Sequence, residues 1–321
     1  MDLLTFINSN CKELLHLLNA DEDGWQLPFI ESINKAIHLN RWFDKENILR
    51  RLRCTFEYYA SDALINDLTA NEKVIEQKTI GLISEERIPM EEITTILNLI
   101  NAGNKVIYKK PENYDIVLCS LFEYWQNKAG RELLPIEFTD RPIKGFDTLL
   151  ITGREPWKGE KRKFFEKHHV IEKTRYNSIG IITDSITNEQ FKAMASDIFC
   201  YYGLGCGNIR KIYIPEGFAI ERIFEAIEPW HNVMLHNAYA NNFQYHQSVF
   251  LMNKIKHLDN GFILLKEDAA SYAPIGILHY QYYSDINKLK VLIDKENKYQ
   301  ILSNNPELGL KFGNADKQLL N

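Results

Sequence analysis

The sequence is poor in the features that mark several readily recognised classes of protein. Its five cysteines, Cys11, Cys54, Cys119, Cys200 and Cys206, are odd in number and include no Cys-X-X-Cys pair. That argues against a disulfide framework and against a thiolate zinc site. No run of eighteen apolar residues is present, so no transmembrane helix is expected. The opening stretch MDLLTFINSNCKELLHLL is too acidic and too broken by polar residues for a signal peptide, which leaves a cytoplasmic chain as the expectation. Charge of one sign is scarce as well: a net −5 gives no reason to expect nucleic acid or an anionic membrane as partner. The nine histidines form no His-X-His or His-X-X-X-His pair beside carboxylates, so no metal is expected. Internal repeats and low-complexity segments are lacking too.

What is present suits a well-cored globular chain. The 321 residues allow one large or two modest domains, with 45% hydrophobic and 25% charged residues. Aromatics at 12% serve either a large core or an apolar pocket, and the core is the simpler use. Stretches such as NSNCKELLHLL and KENILRRLRCTFEYYASDALINDLT place apolar residues at helical spacing, so residues 1–75 read as a helical region. From residue 78 the texture alternates: KTIGLI, KVIYK, LPIEFTD and TLLITG read as strands, MEEITTILNLINAG and DIVLCSLFEYWQNKAG as helices. That is the pattern of a parallel sheet of the nucleotide-binding type, over 76–175, with the C-terminal residues able to complete it. A second α/β block runs from 176 to 321: strand NSIGIITD, helix NEQFKAMASDIFCYYG, strand IRKIYIP, helices FAIERIFEAIEPW and NAYANNFQYHQSVFLMNKI, strands GFILLK and IGILHYQYY, helix DINKLKVLIDK and strand YQILSN. The junction IEKTRYN, 171–177, reads as the boundary.

One short segment carries chemistry. In FCYYGLGCGNIRKIYIP, 199–215, Cys206 stands between Gly205 and Gly207 just past a helix. A structural thiol has no need of flanking glycines, whereas a nucleophile that must meet a planar carbonyl does; the glycines are expected to bare the thiol. Cys200 falls inside the helix and reads as core. Tyr201, Tyr202, Phe218 and the aromatics of YANNFQYHQSVF are candidates for the wall of an apolar tunnel, and equally good core residues.

Phe199, Gly203, Cys206 and Arg210 fit the nucleophile pattern of aldehyde dehydrogenases, with Leu204 replacing the usual Gln or Glu. The segment more closely resembles that of the acyl-CoA reductases, the fatty acid reductase subunit of bacterial luminescence systems and its relatives; YANNFQYHQSVFLMN and NGFILLKED are similar to family segments as well. The resemblance implies an aldehyde-dehydrogenase-like α/β fold, a Rossmann-type nucleotide-binding domain plus an α/β catalytic domain. It implies an acyl thioester reductase in which Cys206 takes the acyl group from acyl-CoA or acyl carrier protein, or from an acyl-transferring partner protein, and hydride from a nicotinamide releases a fatty aldehyde. Backbone N–H groups beside Gly205 and Gly207 would hold the oxyanion. A homo-oligomer is expected on the same ground.

By that resemblance AGNKVIYKKPE places Lys109 on the adenosine ribose with Glu112 as second contact, and the adjacent Lys110 favours NADPH over NADH. ITGREPWKG is similar to the turn passing the cofactor phosphates, with Gly153 fitting and Arg154 in place of a serine. Arg87, two residues before Pro89, stands where the superfamily keeps an oxyanion-binding Asn. Glu172 lies 34 residues before Cys206, at the general-base position, yet a reductase that hydrolysed its acyl-enzyme would waste it, so a surface or cofactor-facing role is the better reading. His236, His246 and His279 are each able to lower the thiol pKa or to be plain structural histidines. Two other functions stay open: a divergent relative that only binds the thioester, carrier protein or a partner, and an acyltransferase using Cys206 without hydride.

Overall fold

The protein is described here from a computed structural model covering residues 2–21, 23–62, 77–85, 87–111, 116–153, 163, 165–175, 177–296 and 299–315. The chain divides into two compact units, the first ending at Arg175 and the second running from Tyr176 to Leu319. Each has its own sheet.

The first unit opens with three helices: α1 (Leu3–Ala20), α2 (Ile30–Leu39) and α3 (Lys45–Tyr59). Asp2 and Asp44 cap α1 and α3 by accepting from the backbone N–H groups of Thr5 and Asn47, which satisfies donors the helix itself cannot. A five-stranded, all-parallel sheet follows, built from β1 (Thr79–Ser84), β2 (Lys105–Lys109), β3 (Ile136–Thr139), β4 (Thr148–Gly153) and β5 (His169–Thr174) in the order β3-β2-β1-β4-β5. Helices α4 (Ile93–Asn101) and α5 (Ile116–Ala129) make the crossovers. The order is that of a doubly wound sheet with its switch point between β1 and β4. Residues of α1, α2 and α3 share one core with α4, α5 and β2: Ile7, Leu14, Ile33, Leu52, Phe56, Ile96, Tyr108, Phe122 and Trp125 are all buried in it.

The strand β5 overlaps the segment read as a domain junction, entering it at Ile171. Its side chains alternate between half-buried and exposed, so it lacks the apolar run that makes an inner strand legible, and it forms the edge of the sheet beside β4. The inner strand β4 is buried along its whole length.

The second unit holds a seven-stranded sheet in the order β12-β11-β6-β7-β10-β9-β8. Its strands are β6 (Asn177–Ile181), β7 (Ile209–Pro215), β8 (Leu258–Asp259), β9 (Leu264–Glu267), β10 (Ile277–Tyr283), β11 (Tyr299–Ser303) and β12 (Leu310–Lys311). All neighbours run parallel except the short β8 against β9. The described helices are α6 (Asn188–Phe199), α7 (Glu221–Ile227), α8 (Asn237–Met252) and α9 (Ile286–Glu296). One face of β6 and β7 packs Ile179, Ile181 and Tyr213 against Leu289 and Ile293 of α9. The helix expected over 218–230 becomes a 3-10 turn after Ile227, where Pro229 enters. Among the described residues, no helix is long and apolar enough to cross a membrane.

Candidate functional site

The Cys206 segment is a tightly pinned corner between α6 and β7. A capping box starts α6: Thr187 accepts from the N–H of Gln190 while the Gln190 side chain accepts from the N–H of Thr187. The helix stops at Phe199, four residues before the expected glycine stop. There the chain enters a 3-10 turn, Cys200–Gly203, in which Tyr201 (φ 51°), Tyr202 (φ 56°) and Gly203 (φ 75°) are all left-handed. Two consecutive non-glycine residues in that region cost roughly 1–2 kcal/mol each and persist only when their surroundings fix them.

Side chains from neighbouring elements fix this turn. Arg210, on β7, donates through its guanidinium to the carbonyls of Gly203 and of Ala273 (2.7 Å) and lies 4.9 Å from the Tyr272 ring. The Tyr202 ring stacks on the imidazole of His236 at 3.9 Å. Asn208, buried, donates its side-chain N–H to the carbonyls of Asp197 (2.8 Å) and Cys200 (3.0 Å), joining the end of α6 to the start of β7. Cys206 and Gly207 are the central residues of a turn closed by the Asn208 N–H on the Gly205 carbonyl.

The glycines do not bare the thiol. Cys206 is only 8% exposed, and a Cβ added at Gly207 would stand 2.6 Å from the Ala315 carbonyl oxygen. Gly207 therefore serves a close backbone approach, and the 313–315 segment lies against the turn that carries Cys206. That segment is held by Asp197, a buried carboxylate on α6 that accepts from the N–H groups of Gly313 (2.6 Å) and Ala315 (3.0 Å). Sequence reasoning missed Asp197 and Asn208. The available signal was a charged residue on the apolar stripe of α6, between the buried positions Met194 and Ile198.

The three histidines separate. His236 adjoins the Cys206 corner through Tyr202, and its Nδ1 accepts from the Tyr239 N–H. His246, on α8, has its pKa lowered by burial. His279, on β10, stands opposite Lys211 in register and bonds the Ala270 carbonyl; burial again lowers its pKa. Cys200 is buried as expected, with its Sγ 3.1 Å from the Ser196 hydroxyl. Among the described residues, the side chains named for a tunnel wall lie in different surroundings. Tyr202 and Tyr239 line a cavity of about 20 Å³, room for a single water, while Phe218 packs on Phe191 and Tyr245 is exposed.

In the first unit, Lys109 and Gly153, two of the residues assigned to the cofactor, lie at the C-terminal ends of parallel strands, where open α/β sheets bind their ligands. Lys109 ends β2 and donates to the Asp140 carbonyl; Lys110 pairs with the Asp140 carboxylate at 3.0 Å. Gly153 ends β4, and a Cβ there would meet Glu85 Oε2 at 3.1 Å. Glu112 and Arg154 lie outside the described residues. Arg87 is exposed in the turn after β1, where its N–H donates to Glu91 (3.0 Å). Glu172 is half-buried on the edge strand β5.

At the switch point itself, the turn into α4 is filled by its own charges. Glu92, wholly buried, accepts from Ser84 (2.6 Å) and Thr152 and pairs with Arg175 at 2.7 Å; Glu91 pairs with Arg175 at 2.9 Å. The N-terminus of α4 thus already holds a carboxylate, the kind of group a helix start attracts.

No family model matches the sequence, and no curated protein matches it. The similarity is in the fold. The chain superimposes on aldehyde dehydrogenase 21 of Physcomitrella patens, solved with its product succinate, with a TM-score of 0.66 over 94% of this chain and 72% of that one at 11% identity. An NAD-dependent aldehyde dehydrogenase of Sinorhizobium meliloti gives 0.59 over 100% and 73% at 12% identity. A lactaldehyde dehydrogenase gives 0.61 over 97% and 76%, also at 12% identity. The chain has the aldehyde-dehydrogenase-like fold: a Rossmann-type parallel sheet followed by an α/β unit that carries Cys206.

Proposed function

We propose that the protein is an NADPH-dependent acyl thioester reductase that forms a fatty aldehyde through an acyl group on Cys206. The single observation that supports this most is the corner around Cys206. An idle loop has no need of two left-handed tyrosines beside a buried arginine, in a fold shared with solved aldehyde dehydrogenases.

In this reading the Cys206 thiolate attacks the thioester carbonyl, forming the Cys206–carbonyl bond. Collapse of the oxyanion breaks the bond to the coenzyme A or carrier sulfur, which leaves as thiolate and takes up a proton. Backbone N–H groups of the turn other than that of Asn208, which closes it, would hold the oxyanion. Bound NADPH would supply a hydride to the acyl carbon. The Cys206–carbonyl bond then breaks, the electron pair returns to sulfur and the aldehyde departs.

The described donors fit the adenosine end of such a cofactor. Lys109 and Lys110 suit a ribose and its 2′-phosphate, with Asp140 as the group they would partly release. The diphosphate would pass Gly153, because Glu92 already occupies the α4 N-terminus. Glu85 is an exposed side chain and swings aside at little cost.

Intact-mass spectrometry after adding a long-chain acyl-CoA, with Cys206→Ala in parallel and NADPH added afterwards, tests the reading. An acyl adduct that needs Cys206 and disappears with NADPH as aldehyde forms is the expected result. An adduct that persists with NADPH indicates acyl transfer, and no adduct indicates a relative that only binds.

A further inference from the structure

Asp197 is two residues before the end of α6 and nine before Cys206, yet it bonds backbone more than a hundred residues away. Its carboxylate receives two N–H groups, from Gly313 and Ala315, and it is almost wholly buried at 2% exposure. Its own carbonyl receives the Asn208 side chain. The residue therefore touches both boundaries of the nucleophile turn: Asn208 at the β7 side, and the 313–315 segment that packs on Gly207. The contact at Gly207 is intimate. A methyl group there would sit 2.6 Å from the Ala315 oxygen, well inside van der Waals contact, so any shift of the segment must move the turn or open a gap beside it.

A neutral residue would do less. A carboxylate is an acceptor at both oxygens and takes two N–H donors at once, whereas an amide offers one acceptor and turns an N–H toward the second. Such charge-assisted bonds are about twice as strong as neutral ones. Burying the carboxylate costs less with both amides in place, so the two bonds resist displacement of the segment.

We infer that Asp197 is the positioning residue of Cys206: by anchoring Gly313 and Ala315 it presses the Ala315 backbone onto Gly207 and fixes the turn that carries the thiol. This rests on the reading of Cys206 as the acyl acceptor. The substrate class is unchanged; what is added is that the chain near residue 314 forms part of the site and that α6 sets its place.

The test uses the full chain as wild type, Asp197→Asn and Gly207→Ala, the last displacing Ala315 from the opposite side while leaving the carboxylate intact. Stopped-time intact mass reads the acylation rate of Cys206 by acyl-CoA, and peptide mapping reads its alkylation by iodoacetamide. Cys11, fully buried on α1 with its thiol pKa driven up by that burial, reports global unfolding in the same digest. Both variants are expected to acylate about 10- to 100-fold more slowly, the scale of an ångström-level misplacement. The acyl-CoA concentration for half-maximal rate should stay unchanged. Cys206 should alkylate faster while Cys11 does not change. Wild-type acylation in both variants, or a fall matched by equal exposure of Cys11, overturns the proposal. Should the wild type itself take no acyl group, the reductase reading fails by itself; alkylation then still decides, since equal Cys206 rates in wild type and Asp197→Asn overturn the anchoring role.

Discussion

Arg210 is the residue on which the left-handed turn depends. Its guanidinium is buried and spans two carbonyls, those of Gly203 and Ala273, that no methionine could satisfy. Arg210→Met is expected to lower stability by about 2–4 kcal/mol, since hydrogen bonds from a charged donor are lost and their acceptors stay buried. Urea unfolding followed by circular dichroism measures it, and a loss below about 1 kcal/mol would show that Tyr202 and His236 hold the turn without help. A second residue-level effect is electrostatic. Lys266, 2.5 Å away, and the Ala270 N–H draw the Asp268 pKa down to about 2. A carboxylate depressed in the folded state stabilises it above the ordinary carboxylate pKa and loses that contribution as pH falls toward the folded value. Lys266→Met should therefore lower the urea midpoint at pH 6, and the gap to wild type should close between about pH 4 and pH 2. A gap constant across that window would assign the effect of Lys266 to its packing over Phe250 instead.

At the scale of elements, the ion pairs of Arg175 tie the end of β5 to the turn entering α4. Glu92 is wholly buried and Glu91 nearly so, and both pair with one guanidinium. Removing it with Arg175→Met takes the guanidinium from two buried carboxylates, leaving Glu92 its bonds from Ser84 and Thr152 and Glu91 its bond from the Arg87 N–H. A loss of about 3–5 kcal/mol in urea unfolding is expected, as for other broken buried pairs. Arg175→Lys should recover only part, because a single ammonium cannot reproduce the fork that serves both carboxylates. The same elements show what the sequence makes legible. Inner strands such as β2 and β4 and helices such as α5 announce themselves through apolar runs and periodicity. Strand β5 does not, because an edge strand buries only one side of each residue pair, and the two-residue β8 and β12 are too short to carry a pattern.

At the scale of the whole molecule, the parallel α/β architecture was readable from the alternation of strands and helices, and the structural neighbours share it. The position of Cys206 in a turn between helix and strand was readable from glycines and spacing. Its burial was not, because Ala315 and Asp197 reach it from places that local sequence does not connect. The role given to Gly207 changed accordingly, from exposing a thiol to admitting a neighbouring backbone.

The order of the second sheet also has a consequence in time. The first strand of that sheet, β6, takes β11 as one of its two neighbours, and the Ser303 hydroxyl reaches the Ile181 carbonyl across 122 residues. During synthesis at about 5–20 residues per second, roughly 6–24 s separate the appearance of those two residues. Over that interval a nascent chain presents β6 with one open parallel edge, the kind of surface on which strands of other chains add. The nascent protein should therefore recruit chaperones before Tyr299 emerges, and slower synthesis should prolong that recruitment, until β11 closes the edge of β6.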